Sequence, residues 1–176
     1  CDAGSDNTEI VRILDFTFGA INNNSTSLSG YEDFTSLSTN VIRGEEYAFS
    51  ISTPVLEEPT MADGYIWIDY NHNGEFDAEE RTYGWYASPN GIISNQITIP
   101  SDALLGPTRM RVLSRLVFGS TFLPCGNAQN GQVEDYTVNI VPKAPTVVAQ
   151  SFCNTATVAD LVAEGTALKW YDVESS

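Results

Sequence analysis

"YIWIDYNHNGEFDAEERTYGWY" (Tyr65–Tyr86) decides how this chain is read. Its middle, Asp69 to Glu80, places Asp69, Asn71, Asn73, Asp77 and Glu80 at the first, third, fifth, ninth and twelfth positions of a loop, with Gly74 at the sixth. That is the ligand spacing of an EF-hand calcium loop. An EF-hand needs a helix on either side, and the flanks "YIWI" and "RTYGWY" instead alternate β-branched and aromatic residues with a period of two. The stretch therefore predicts a calcium loop slung between two strands, with Glu75 adding its backbone carbonyl and Glu80 closing the shell through both oxygens. Calcium is the expected cofactor because a hard cation takes about six to eight oxygens, and no cysteine or inward-pointing histidine is there to favour zinc. The competing reading is an acidic turn with no ion, since Asn, Asp and Gly are what turns prefer.

The same alternation recurs on both sides. "EIVRILDFTFG" (9–19), "EYAFSIST" (46–53), "ISNQITIP" (93–100), "TRMRVLSRL" (108–116) and "EDYTVNIV" (134–141) read as strands, separated by the turn clusters "NNNSTSLSG" (22–30), "ASPNG" (87–91) and "PCGNAQNG" (124–131). Helical signal is confined to a turn in "SDALLG" (101–106) and a turn or two in "TVADLVAEG" (157–165). Strands at this spacing predict an all-β chain built as an antiparallel β-sandwich, of jelly-roll or immunoglobulin-like type. Two prolines in "PKAPTVVAQSFC" mark a boundary near Pro142. Residues 1–141 form the sandwich, and residues 142–176 read as a linker and the opening of a second module, too short to close a core alone.

The chain of 176 residues is 42% hydrophobic and 11% aromatic, enough for a buried core, and carries a formal net charge of −15. That charge excludes nucleic acid and anionic membrane as partners. No run of about 18 apolar residues exists to cross a bilayer, and the chain is expected to begin after any signal peptide. Three cysteines, Cys1, Cys125 and Cys153, show no metal-ligand spacing. In a secreted or cell-surface protein they predict a disulfide between Cys1 and Cys125, with Cys153 left for a partner elsewhere.

Tyr83 and Trp85 share one face of their strand and Tyr86 takes the other, a set able to stack on sugar rings or to pack a core. Arg109 and Arg111 alternate with Met110 and Val112, as expected of a half-buried strand with its arginines outside, paired to carboxylates. Glu134 and Asp135 are adjacent strand residues and point to opposite faces, a poor catalytic pair suited to supporting the loop or an arginine. His72 is the single histidine, and neither H-E-x-x-H nor G-x-S-x-G occurs, so no enzyme is expected.

Together "GYIWIDYNHNGEFDAEE", "ITIPSDALLGPTRMRV", "PCG" and "GQVEDYTV" resemble the GEVED domain of large secreted Bacteroidetes proteins, and the likeness extends over residues 1–141. The sequence departs from the family's name motif at Gln132, which replaces a glutamate and removes a charge. The tail "PTVVAQSFCNTATVADLVAEGTALKWYDVESS" resembles the start of an immunoglobulin-like repeat. The resemblance implies export by the type IX system and a noncatalytic accessory module attached to other domains of the same chain; the aromatic set adds the expectation that its partner is polysaccharide or another extracellular polymer. A structural spacer or adhesin stalk is the alternative.

Overall fold

The structure, a computed structural model, describes residues 1–54, 61–87, 91–117, 123–151, 157, 160–165 and 168–170. It separates into two compact units, Cys1–Val141 and Pro142–Ser176.

Among the described residues of the first unit, eleven strands form three sheets. β1 (Ala3–Gly4) pairs in parallel with β10 (Gly126–Asn127). A five-stranded sheet runs β4 (Tyr31–Ile42), β11 (Gly131–Val141), β9 (Gly106–Leu116), β6 (Ala62–Ile68), β7 (Arg81–Ala87). A four-stranded sheet runs β3 (Ile21–Asn24), β2 (Asp15–Phe18), β5 (Glu46–Ser52), β8 (Ile92–Thr98). Every pairing in the two large sheets is antiparallel except β4 with β11. The product is a β-sandwich. Alternate residues face inward and fill the space between the sheets: Phe16, Phe18, Phe49, Ile51 and Ile97 meet Ile66, Ile68, Trp85, Met110, Val112, Tyr136 and Val138. Close approach is required at Gly64, where an added Cβ would stand 2.1 Å from the Trp85 ring and 2.3 Å from the Leu113 carbonyl. The indole lies across that bare backbone.

Sequence and structure part in two places. The apolar run from Glu9 to Gly19 yields ladder only at Asp15–Phe18, because the Ile13 N–H is taken by the Gln132 side chain at 2.9 Å instead of a neighbouring strand. "NNNSTSLSG" is a turn only in its later part, since Asn22 to Asn24 belong to β3. "SDALLG" closes the single turn expected of it, with the Ala103 N–H on the Pro100 carbonyl.

Between Thr146 and Glu164 the second unit makes an isolated antiparallel bridge. Of the turn or two expected over 157–165, one closes where the Asp160 N–H meets the Thr157 carbonyl at 3.0 Å; Cys153 lies outside the described residues.

Candidate functional site

The outer surface of the five-stranded sheet carries the acidic turn. After β6 ends at Ile68 the chain loops out and returns through a short 3-10 turn, Ala78–Glu80, into β7. Turn residues bond their own backbone, as short polar side chains do. Asp69 accepts from the N–H groups of Asn73 (3.2 Å) and Gly74 (3.0 Å). The Asn71 side-chain oxygen accepts from Asn73 N–H (2.9 Å) and that of Asn73 from Glu75 N–H (2.7 Å). Glu80 accepts from Asn71 N–H (3.1 Å) and Asp77 N–H (3.0 Å). Asp77 accepts the side-chain amides of Asn71 (3.0 Å) and Asn73 (3.1 Å). Positive φ angles at His72 (56°) and Gly74 (82°) bend the loop around these oxygens.

The turn is anchored to β9, whose Thr108 hydroxyl donates to the Asp69 carbonyl at 2.6 Å and whose Arg109 carbonyl accepts from Asp69 N–H at 3.0 Å. The five side chains read from the sequence as ligands thus line one turn, with Asp69 and Glu80 buried. Among the described residues no group of three or more His, Cys, Asp or Glu side chains is gathered as a metal cluster; each carboxylate here is held by N–H donors. The donor chemistry fits a hard cation, being all oxygen, with the remaining positions filled by amides whose carbonyl and NH2 ends can exchange.

Beneath the turn, the Arg109–Arg111 reading needs correction. Arg109 is exposed, but Arg111 is 1% exposed. Its guanidinium grips Asp135, its partner across the β9–β11 ladder, at 2.7 and 2.8 Å. It also donates to the carbonyls of Pro124 (2.7 Å) and Cys1 (3.3 Å) and lies 5.0 Å from the centre of the Phe76 ring. Sequence-distant segments roof this face, and strand alternation carries no sign of them. A disulfide joins Cys1 to Cys125, with Cα atoms 5.6 Å apart.

The aromatic set does not form one platform. Trp85 is 7% exposed and lies in the inter-sheet core, whereas Tyr86 is 65% exposed. Tyr83 packs edge-on to Phe49 at 4.8 Å. Trp85 is thus part of the core, Tyr83 is half-buried against it with its hydroxyl accepting from the Asn95 side-chain amide at 2.7 Å, and Tyr86 stands in solvent.

The closing motif divides by face. Outward, Asp135 holds Arg111. Inward, Gln132 accepts Ile13 N–H and donates to the Ser29 carbonyl at 3.0 Å; a glutamate could not make the second bond, which gives the departure at this position a physical role. Glu134 is 0% exposed, and its Oε1 has no hydrogen-bond partner among the described residues. Its Oε2 accepts the Tyr136 hydroxyl at 2.5 Å, and Glu32 sits opposite on β4. Burial pushes the Glu134 carboxyl up from 4.5 to about 7, with Glu32 adding repulsion and the Tyr136 hydroxyl opposing the rise. The folded chain then holds a proton that the unfolded chain releases between pH 4.5 and 7, so stability falls as pH rises through that window. Glu134→Gln is expected to flatten the fall, raising stability at pH 8 by a few kcal/mol relative to the parent and changing it little at pH 4. Parallel denaturant titrations at the two pH values check this; equal effects at both would show that the Glu134 carboxyl titrates alike in the folded and unfolded chain.

Fold and site together define a β-sandwich module carrying an acidic, oxygen-lined turn on one sheet. Residues 63–139 match the model of the GEVED domain family. Solved structures with similar folds include the CARDB domain of a Pyrococcus furiosus protein in complex with di-metal ions, at 10% identity over 76% of this chain and 93% of that one, TM-score 0.41. Another is a family 123 glycoside hydrolase from Clostridium perfringens, at 13% identity over 60% of this chain and 23% of that one, TM-score 0.38. No curated protein matches the sequence.

Proposed function

We propose that this domain is a noncatalytic accessory module of a secreted or cell-surface protein, its 69–80 turn stapled by one calcium ion, and that it binds polysaccharide or another extracellular polymer. The observation that carries the calcium reading is the hydrogen bonding of the turn. N–H groups of Asn71, Asn73, Gly74, Glu75 and Asp77 all point at side-chain oxygens of the same loop, so those oxygens are aimed before any ion arrives. Asp69, Asn71, Asn73, Asp77 and Glu80 would hold calcium through side chains and Glu75 through its carbonyl, and the ion would supply charge neutralisation and a cross-link between β6 and β7.

A ligand that binds only the folded state stabilises by RT ln(1 + [L]/Kd), so calcium at 100 times its Kd is expected to add about 2.7 kcal/mol. Chelator should lower the melting temperature by roughly 5–10 °C. Asp69→Ala should lower it in calcium and remove the chelator effect. Melting that ignores chelator would reduce the turn to a self-bonded acidic loop.

Polymer contact is supported by the exposure of Tyr86 on the edge strand β7. Burial of Trp85 favours the second reading, a structural spacer. Affinity electrophoresis through a polysaccharide panel separates them, because a spacer migrates unretarded in every gel.

A further inference from the structure

We propose that the groove between the disulfide-tied N-terminal arm and the start of β4 binds a neutral saccharide. The proposal rests on the polymer-binding reading above and moves the contact away from β7. The groove measures about 380 Å³ and is lined by Asp2, Ser5, Asp6, Ser29, Tyr31 and Asn127, together with bare glycine backbone. That volume lies at the small end of ligand pockets, roughly 300–1,000 Å³.

Its walls are fixed before any ligand arrives. On one side the β1–β10 ladder is extended by Gly126 N–H on the Asp2 carbonyl (2.8 Å) and Ala128 N–H on the Gly4 carbonyl (2.6 Å), and the Cys1–Cys125 disulfide closes its end. On the other side the Tyr31 hydroxyl donates to Asp135 at 3.0 Å, which immobilises the ring. Gly30 lets this wall meet the arm directly, since a Cβ there would stand 1.8 Å from the Ser5 carbonyl oxygen. At Gly126 (φ 93°) the position of a Cβ meets nothing within 4 Å, so the groove stays open above it.

The chemistry of the lining selects the ligand. Sugar hydroxyls donate and accept, and here they meet carboxylate acceptors on Asp2 and Asp6 and an amide on Asn127, with Asp6 and Asn127 orienting each other by a hydrogen bond. A tethered aromatic ring offers a flat apolar surface at little cost in conformational entropy. Two carboxylates in the groove and a net charge of −15 repel anionic sugars, which leaves neutral ones.

The test uses the disulfide-intact chain in affinity gels containing hydroxyethyl cellulose, xylan or galactomannan, with polygalacturonate as the anionic control. At least one neutral polymer is expected to retard the parent. Asp2→Ala should weaken that retardation about tenfold with melting temperature unchanged, and Asn127→Ala should weaken it by as much while also lowering the melting temperature through loss of its bonds to Asp6 and the Gln129 N–H. Retardation that survives both substitutions and disappears with Tyr86→Ala overturns the groove and leaves the polymer-binding reading standing. Preference for polygalacturonate overturns the neutral class. No retardation by any polymer overturns both the groove and the reading on which it rests.

Discussion

Arg111→Ala is expected to destabilise the sandwich by about 3–5 kcal/mol, because it strands a buried carboxylate and does not merely delete a contact. Asp135 is 0% exposed and receives two of its hydrogen bonds from this guanidinium. Once Arg111 is gone, the Tyr31 hydroxyl and the longer 3.8 Å contact from Arg109 are what remain to compensate its charge. The carbonyls of Cys1 and Pro124 lose their donor in the same step. Guanidinium chloride unfolding of parent and variant measures the loss. The double substitution Arg111→Met with Asp135→Leu should recover part of it, since removing both charges also removes the uncompensated one. A loss below about 1 kcal/mol in the single variant would show that water reaches Asp135 and that the pair behaves as a surface ion pair.

Removing the disulfide by Cys1→Ser with Cys125→Ser is expected to cost about 4–5 kcal/mol on the chain-entropy model, because the bridge spans 124 residues of sequence. The two losses should not add. Arg111 donates to carbonyls on both sides of the bridge, Cys1 and Pro124, so freeing the arm also loosens the arginine. A double-mutant cycle combining the serine substitutions with Arg111→Ala should give a coupling of about 1 kcal/mol or more. If the serine variant loses under about 1 kcal/mol, the β1–β10 ladder holds the arm without its covalent tie.

Most strands were legible because their inner residues alternate with polar ones, as in β6 and β9, where a period of two needs no knowledge of the partner strand. β4 was missed as a strand for the opposite reason. Its sequence, YEDFTSLSTNVI, is polar along much of its length, and only Thr39 and Val41 are buried. It lies at a sheet edge beside β11, so its ladder is specified by the neighbour and not by its own hydrophobicity. The turn residues of the candidate site were legible because turn geometry is local: spacing along the chain becomes spacing in space within a dozen residues. For Arg111 and Glu134 the sequence showed which way each points and not what covers it. Arg111 is sealed by carbonyls more than a dozen residues away, and Glu134 lies against a glutamate 102 residues earlier on β4. The aromatic set failed in the same manner. Alternation separated Trp85 from Tyr86 correctly, but which face meets the second sheet is a tertiary fact.

The bridge between Cys1 and Cys125 also decides how the domain carries mechanical load. A pull applied between Cys1 and the chain beyond Val141 crosses the disulfide at once and leaves residues 2–124 out of the covalent line of force. Tension then falls on the short run from Cys125 to Val141, most of it β11, which is clamped between β9 and β4 by two long ladders. Force along that strand loads both ladders in shear, so many hydrogen bonds resist together, where peeling would break them one after another. In the oxidised state, rupture of the domain releases only this short run of slack; in the reduced state the whole of residues 1–141 can pay out. The thiol state thereby sets the length to which the unit extends under tension.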